Sequence, residues 1–486
     1  MKRLRIKIPV LIVGLVISFA PLQSQVWNQI GSDFYGLGEY STSLSADGSV
    51  VAIGSSGYSM GAGSVHILKN QGGTWSQIGN TIDGEAKGDE FGWSVSLSAD
   101  GSVVAIGAPF NYGNGPEAGH VRIYENQSGT WSQIGGDIEG DTAMNRFGFS
   151  VNLSADGSVV AIGAPFYNAN GPLSGHVRIF ENQGGNWVQI GDAIEGEAAE
   201  DRFGWSVSLS ADGSTVAIGA PRNDGNGINA GHVRIFENHH DSTWSQVGGT
   251  IEGEGLGGSS LSLSADGFVI AVGGPAGNTG NGYSTGHVRV FEYQGGIWSQ
   301  IGSAIKGETA GDYFGASVSL STDGSVVAIG APWNAGNGYD AGHVSVFENQ
   351  SSSWSKIGNT IEGDTIHVQF GWSTSLSADG SVVVIGSSGS GYVRIYENST
   401  VSSKPLQQQS FSFYPNPTTN SFQVKGLATE SDGMKIKVYD MTGEMVFARQ
   451  YADDSPTVNI GSLTPGIYFV KLIIQGQTAV RKVVKL

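Results

Sequence analysis

The sequence predicts an all-β chain: a seven-bladed β-propeller of four-stranded blades, closed by its N-terminal strand, with a C-terminal Ig-like β-sandwich behind it. Three observations carry that expectation. One phrase, LSADGSVVAIGAP at 97–109, occurs seven times in close variants; each period splits into four short strands; and the two ends of the array complete each other.

The period is read from the central aspartate of each copy, at Asp47, Asp100, Asp156, Asp212, Asp266, Asp323 and Asp379, spaced 53, 56, 56, 54, 57 and 56 residues apart. Such a fixed spacing marks an array of one supersecondary unit that cannot bury its apolar face alone. In the second unit, GWSVSLSA alternates apolar and small polar residues as a half-buried strand does, and Asp100-Gly101 turns the chain. SVVAIGAP is a second, more buried strand, FNYGNGPEAG a loop, HVRIYEN a third strand and WSQIGGDI a fourth. Four strands per unit with no helical periodicity are what a propeller blade needs.

Closure is the sharper test. A W-x-Q-I/V-G strand, with Lys for Gln in the last copy, occurs at Trp27, Trp75, Trp131, Trp187, Trp244, Trp298 and Trp354. The seventh unit ends at Asn398 without one, while the array begins with one at Trp27. The first strand therefore completes the last unit and removes both free edges. The expected organisation is a signal peptide at 1–24, the propeller at 25–398, a linker at 399–410 and the C-terminal domain at 411–486.

Lys2, Arg3, Arg5 and Lys7 precede an apolar run from Ile8 to Ala20 that is too short to span a membrane. A secretory signal peptide cleaved between Ser24 and Gln25 is expected, leaving no transmembrane segment in the mature chain. Cysteine is absent, so a secreted chain of this length must be held by its own core. Glycine reaches 76 of 486 residues but falls at turns, not at every third position, which excludes collagen. Residues 25–398 hold 12 Lys/Arg against 37 Asp/Glu, a formal −25 that repels phosphate backbones and sets nucleic acid aside as a partner. Cations, neutral sugars and basic proteins remain.

Each unit resembles the FG-GAP repeat of integrin α-subunit propellers. The FG stands at Phe91-Gly92, Phe147-Gly148, Phe203-Gly204, Phe314-Gly315 and Phe370-Gly371, and the GAP at 107–109, 163–165, 219–221 and 330–332. The resemblance implies a calcium loop with oxygen side chains at positions one, three, five and nine of the first turn. On this sequence those positions are Ser96, Ser98, Asp100 and Val104, one carboxylate where calcium wants six to eight oxygens. Asp100 and its equivalents are accordingly read as turn residues.

His120, His176, His232, His287 and His343 occupy one repeated place and are expected to pack, since third strands lie too far apart around a ring to share a zinc. The repeated tryptophans are expected between blades. Longer loops gather on the face opposite the Asp-Gly turns, and function in a ring lives where loops gather and symmetry breaks. The candidate ligand-binding residues there are Asn111, Asn114, Asn168, Asn170, Asn223, Asp224, Asn226, Asn281, Asn337 and Asp340, whose oxygens and amides suit sugar hydroxyls. The same face carries acidic segments such as IEGDTAMNR, where calcium is the one cofactor considered. No catalytic constellation stands out from the repeat; His239–Asp241 is unique but falls on the short-turn face.

After Asn398 the composition changes to a Ser/Gln linker and a second β pattern. This segment resembles the type A C-terminal sorting domain of the type IX secretion system through Tyr414, Pro415, Asn416, Pro417, Asp440, Gly443, Gly466, Tyr468 and Lys482. The resemblance implies a bacterium of the Bacteroidetes type, the type IX machinery as a partner, and a mature ring that is extracellular or on the outer cell surface. The expected function is a secreted or surface binding and adhesion module for a glycan or surface protein. A polysaccharide hydrolase or lyase and a passive matrix protein are the alternatives.

Overall fold

The computed structural model describes residues 26–398 and 412–486 apart from 36–40, 58–60, 239–242, 389–390, 415, 417, 426–433, 440–444, 452–455 and 475–476. The signal peptide with Ser24 and Gln25, the linker, the His239–Asp241 segment, Pro415, Pro417, Asp440 and Gly443 lie outside the described residues.

Every described element is a β-strand. The repeats build seven antiparallel sheets of one pattern, an arrangement of the β-propeller type. The second sheet is representative: Ser94–Leu97, Val103–Ala108, His120–Gln127, Thr130–Gln133 and a two-residue strand Ile138–Glu139. The fifth strand continues the fourth. Thr130–Gln133 pairs with the far half of the third strand, and Ile138–Glu139 with its first two residues. Between them Gly135, at a φ of 71°, bends the chain in a way an L side chain resists.

First strands of successive sheets touch in order, and the seventh touches the first. Two circuits of hydrogen bonds follow that path. The Ala46 N–H donates to the carbonyl of Ala99, and the series runs on through Ala155, Ala211, Ala265, Thr322 and Ala378, whose N–H donates back to Ala46, all at 2.8–2.9 Å. In the second circuit the leucine N–H of each first strand donates to a side-chain oxygen of the neighbouring sheet, as Leu97 does to Ser43 Oγ at 2.9 Å and Leu44 to Ser375 Oγ at 3.1 Å. The small polar residues of SVSL thus face the next sheet, each bond contributing about 1 kcal/mol net.

Sheets stack on both sides of every second strand, so Val103–Ala108 is buried throughout and reads as an unbroken apolar run. The motif residues form the joint between neighbours. A Cβ on Gly107 would lie 2.1 Å from the Gly148 carbonyl oxygen of the next unit, and that oxygen accepts the Ser94 hydroxyl at 2.8 Å. The accompanying phenylalanines Phe91, Phe147, Phe203 and Phe370 are fully buried. Tryptophan does the same outward of them: Trp131 and Trp187 donate their indole N–H to Ile78 and Ile134 of the preceding sheet at 2.9 and 3.0 Å.

The N-terminal strand Trp27–Gln29 pairs with Asn398, Glu397 and Tyr396 of the last sheet. Asp33 then meets the Arg394 guanidinium through two bonds of 2.7 and 2.8 Å, which hold its carboxyl down at about 2.

The C-terminal residues form a three-stranded and a four-stranded antiparallel sheet that share one core of Phe422, Val424, Ile436, Val438, Val470 and Leu472 among others. Tyr468 is buried in it, with its hydroxyl donating to the Thr464 carbonyl at 2.8 Å, while Tyr414 is exposed. Asn416 Oδ1 accepts the Val484 N–H at 2.9 Å, tying the start of the domain to its last strand. That strand runs antiparallel to Gly466–Ile474, pairing Gly466 with Lys485 and Phe469 with Lys482. Among the described residues no helix is long and apolar enough to cross a membrane.

Candidate functional site

If the repeated residues are joints, the site belongs where the repeat lets its residues vary. Three such places flank the motifs on the long-loop face. The residue before each FG, and before Gly257-Gly258 in its place in the fifth unit, is held at positive φ: Glu90, Arg146, Arg202, Leu256, Tyr313 and Gln369 lie between 51° and 62°. Non-glycine residues in this region carry strain that the surrounding fold must hold, here through a turn in which the residue after FG donates back to it. Phe149 bonds the Arg146 carbonyl in this way at 3.1 Å, and Trp205 the Arg202 carbonyl at 3.1 Å. The second place is the residue after FG, immediately before the innermost strand; the third is the residue after GAP.

In the second to fourth sheets these places carry Trp93, Phe110, Phe149, Phe166 and Trp205, all half-buried. They touch from sheet to sheet: Trp93 to Phe149 at 5.3 Å between ring centroids and Phe149 to Trp205 at 4.6 Å, with Phe110 and Phe166 edge-on behind them at 5.7 and 5.9 Å. Equivalent residues of neighbouring blades approach so closely only near the axis, so the arc lies on the inner rim of the loop face.

Arginine threads the arc. The Arg146 guanidinium lies over both Phe110 and Phe166, at 4.6 and 4.4 Å, and Arg202 lies over Phe166 at 5.0 Å. Arg146 is paired with Glu117 at 2.8 Å, whereas the buried Arg202 Nε has no hydrogen-bond partner. Burial and then the charge of the exposed Arg222 lower the Arg202 pKa. A second aromatic group, Tyr313, Trp333 and Trp372, stands in the sixth and seventh sheets at 4.7 and 5.4 Å spacing. The fifth sheet between them offers only Ser259 and Ala276 after its motifs.

The predicted asparagines lie on the loop face, engaged in shaping it. Asn114, Asn170, Asn226, Asn281 and Asn337 each donate a side-chain amide to the carbonyl of Gly140, Gly196, Gly253, Gly307 or Gly363, at 2.8–3.2 Å. Asn111 and Asn223 bond the buried Asp89 and Asp201. Asn168 and Asp224 accept loop N–H groups at 2.8 and 2.7 Å, and Asp340 lies 3.8 Å from His367.

The acidic segments serve as clasps between units. Arg178 bonds Asp141 and Arg234 bonds Glu197, each reaching into the loop that enters its own sheet. Glu85, His120 and Asp137 bring their ligand atoms within 4.8 Å, but Arg122 bonds both carboxylates and supplies the cation itself. That donor set does not fit calcium. Nor does the family's loop. Asp100 Oδ1 accepts Ser98 Oγ, Ser102 N and Ser102 Oγ at 2.7–2.9 Å, and Val104 at the ninth position is fully buried. The five repeated histidines are buried, with His176 stacked on Tyr167 at 3.9 Å and pushed down to about 3 by burial and then Arg178.

The FG-GAP repeat family matches residues 81–124, 195–236 and 306–347, and the family described as a secretion system C-terminal sorting domain matches 412–486. The chain carries FG-GAP repeats and a C-terminal sorting domain of a secretion system. Integrin alpha-7 of Rattus norvegicus is 30% identical over 140 residues, 27% of this chain and 12% of its own length. The chain thus spans only a small part of that relative. In three dimensions the Kuenenia stuttgartiensis hydrazine synthase chain matches 76% of this chain and 98% of its own, with a TM-score of 0.50 and 13% identity, a likeness of fold alone. The sorting domain directs this chain through type IX secretion to the cell surface or the extracellular space.

Proposed function

We propose that this chain is a secreted, seven-bladed propeller that binds a glycan on its loop face without turning it over. The observation that carries this reading is the contiguous, half-exposed arc Trp93–Phe149–Trp205 with Arg202 and Arg222 beside it, placed at the positions the repeat leaves free. Sugar rings present flat C–H faces that lie on aromatic rings, while their hydroxyl and carboxylate oxygens accept from guanidinium donors in fixed directions. The exposed Arg222 offers such donors beside the arc. The loops shaped by Asn168 and Asp224 form the outer rim, and the C-terminal domain, read as an Ig-like sandwich, serves export.

The test is binding of the full chain to a panel of soluble glycans and insoluble polysaccharides, with calcium or with chelator, beside Trp205→Ala and Trp93→Ala. The expected result is retention without product, insensitive to chelator and weakened in both variants. Depolymerisation of a panel member would replace the reading with an enzyme. Silence across the panel, or binding that both variants keep, would overturn the site.

A further inference from the structure

The fifth blade breaks the repeat at the opposite end, on the Asp-Gly turn face. After Asp-Gly, six units carry serine, and its hydroxyl bonds the turn aspartate, as Ser102 does to Asp100 at 2.7 Å and Ser325 to Asp323 at 2.6 Å. The fifth carries Phe268. Near the end of the third strand, six units carry asparagine, and in four of them its side chain accepts a turn N–H, as Asn126 does from Gly129 at 2.7 Å. The fifth carries Tyr293. Two polar bonds are given up to set two aromatic rings at one blade's end. The rings stack at 6.3 Å, within 4° of parallel.

Phe469 of the sorting domain meets Phe268 edge-on at 6.1 Å. It belongs to a patch on one side of the four-stranded sheet. Lys437 pairs with Lys471 and Tyr439 with Phe469 across adjacent strands, while the alternate residues Ile436, Val438, Val470 and Leu472 fill the domain core. The patch is therefore the outer face of that sheet, with a phenylalanine where water is the ordinary neighbour. Together the two sides line a cleft of about 130 Å³, with Lys437 and Lys471 on the domain's side and Asp266 and Glu292 on the ring's. Burial and then those two carboxylates push the Tyr439 hydroxyl up to about 12.

We infer that the turn end of blade five is a docking saddle for the chain's own sorting domain, gripped by Phe268 and Tyr293, with basic side chains on the domain's side of the cleft and carboxylates on the ring's. The 12-residue linker at 399–410 makes the contact intramolecular. A tether of that length gives an effective concentration on the order of millimolar, so a weak contact stays closed while the linker is whole. Cutting the linker removes that advantage and uncovers the saddle.

The absence of native cysteine makes the test clean. Glu292→Cys with Lys471→Cys, treated with a short bis-maleimide, reports docking as an intramolecular crosslink in the full chain. Phe268→Ser with Tyr293→Asn restores the residues of the other blades, so folding is kept, which a melt of the same variant verifies. Losing about 1 kcal/mol of aromatic contact slows crosslinking roughly fivefold. A control pair, Glu181→Cys with Lys471→Cys on blade three, is expected to react as slowly as the restored variant. Equal rates from blades three and five, or an unchanged rate in a folded restored variant, would overturn the saddle.

Discussion

Blades three and five share one scaffold and depart from it at opposite ends. Blade three carries Arg146, Phe149 and Phe166 at its loop-face positions and the ordinary Ser158 and Asn182 at its turn end. Blade five has Leu256, Ser259 and Ala276 on the loop face and Phe268 and Tyr293 at the turn end. Between those ends the two are interchangeable: Val159–Ala164 and Val269–Gly274 are buried throughout, and both send a first-strand serine hydroxyl to the next unit's FG carbonyl, at 2.9 and 2.7 Å. The glycines of the joints are kept because a neighbour's backbone lies within bonding reach. Blade ends vary because only solvent or a ligand lies beyond them, so what is written there is recognition.

The comparison breaks most visibly at a joint. Phe147→Ala empties a fully buried site and is expected to cost about 3–5 kcal/mol, read as a fall in the denaturant midpoint, with no selective effect on ligand. Next comes acidification, which strikes all five histidine joints together. Burial holds His120, His176, His232, His287 and His343 neutral, with His232 and His343 down at about 4. Unfolded, each takes a proton near its ordinary 6.5, so their stability is full above that pH and drains away as pH falls toward about 4. Each histidine contributes up to about 1.4 kcal/mol per pH unit, measurable as proton uptake on unfolding. The Asp33–Arg394 latch has its own window. Its carboxyl is depressed, so its contribution stands above pH 4 and is lost between there and about 2, which hydrogen exchange at Trp27–Gln29 would register.

A blade-end substitution gives the converse result. Trp205→Ala is expected to weaken glycan binding by about 1–2 kcal/mol, roughly five- to thirtyfold, with a smaller loss of stability than Phe147→Ala. Phe268→Ser has the smallest effect and the opposite sign. Regaining the hydroxyl bond to Asp266 is expected to raise ring stability by up to about 1 kcal/mol, seen as a higher midpoint in calorimetry.

Much of this architecture is legible in the residues because the period repeats the same physics seven times. The Trp27 strand completing the last sheet follows from counting strands, and the inter-blade place of Trp131 follows from its recurrence. The short fifth strand at Ile138–Glu139 does not, since two residues carry no periodicity. The site was harder to see for a related reason. Attention to motifs selects Phe147, Gly148 and the asparagines of the long loops, which turn out to bond their own loops, as Asn114 does to Gly140. Trp93, Phe149 and Trp205 sit one residue beyond the motif and look unrelated in sequence, because 56 residues separate neighbours that touch at about 5 Å. Aligning the units on FG and asking which column changes would have found them. The acidic segments misled in the same way: Glu197 gains its meaning only from Arg234, 37 residues later on the next strand face.

The pairing of Trp27 with Asn398 fixes where the chain leaves the ring. The last third strand runs from the loop face to the turn face, so any tether made through residues beyond Asn398 pulls from the side opposite the aromatic arc. A ligand held on the arc would then load the ring along its axis, through strands drawn lengthwise against several hydrogen bonds at once. The same last third strand carries Arg394, so acid that releases Asp33 loosens one side of that path while the pairing with Val382–Gly386 remains to carry the load.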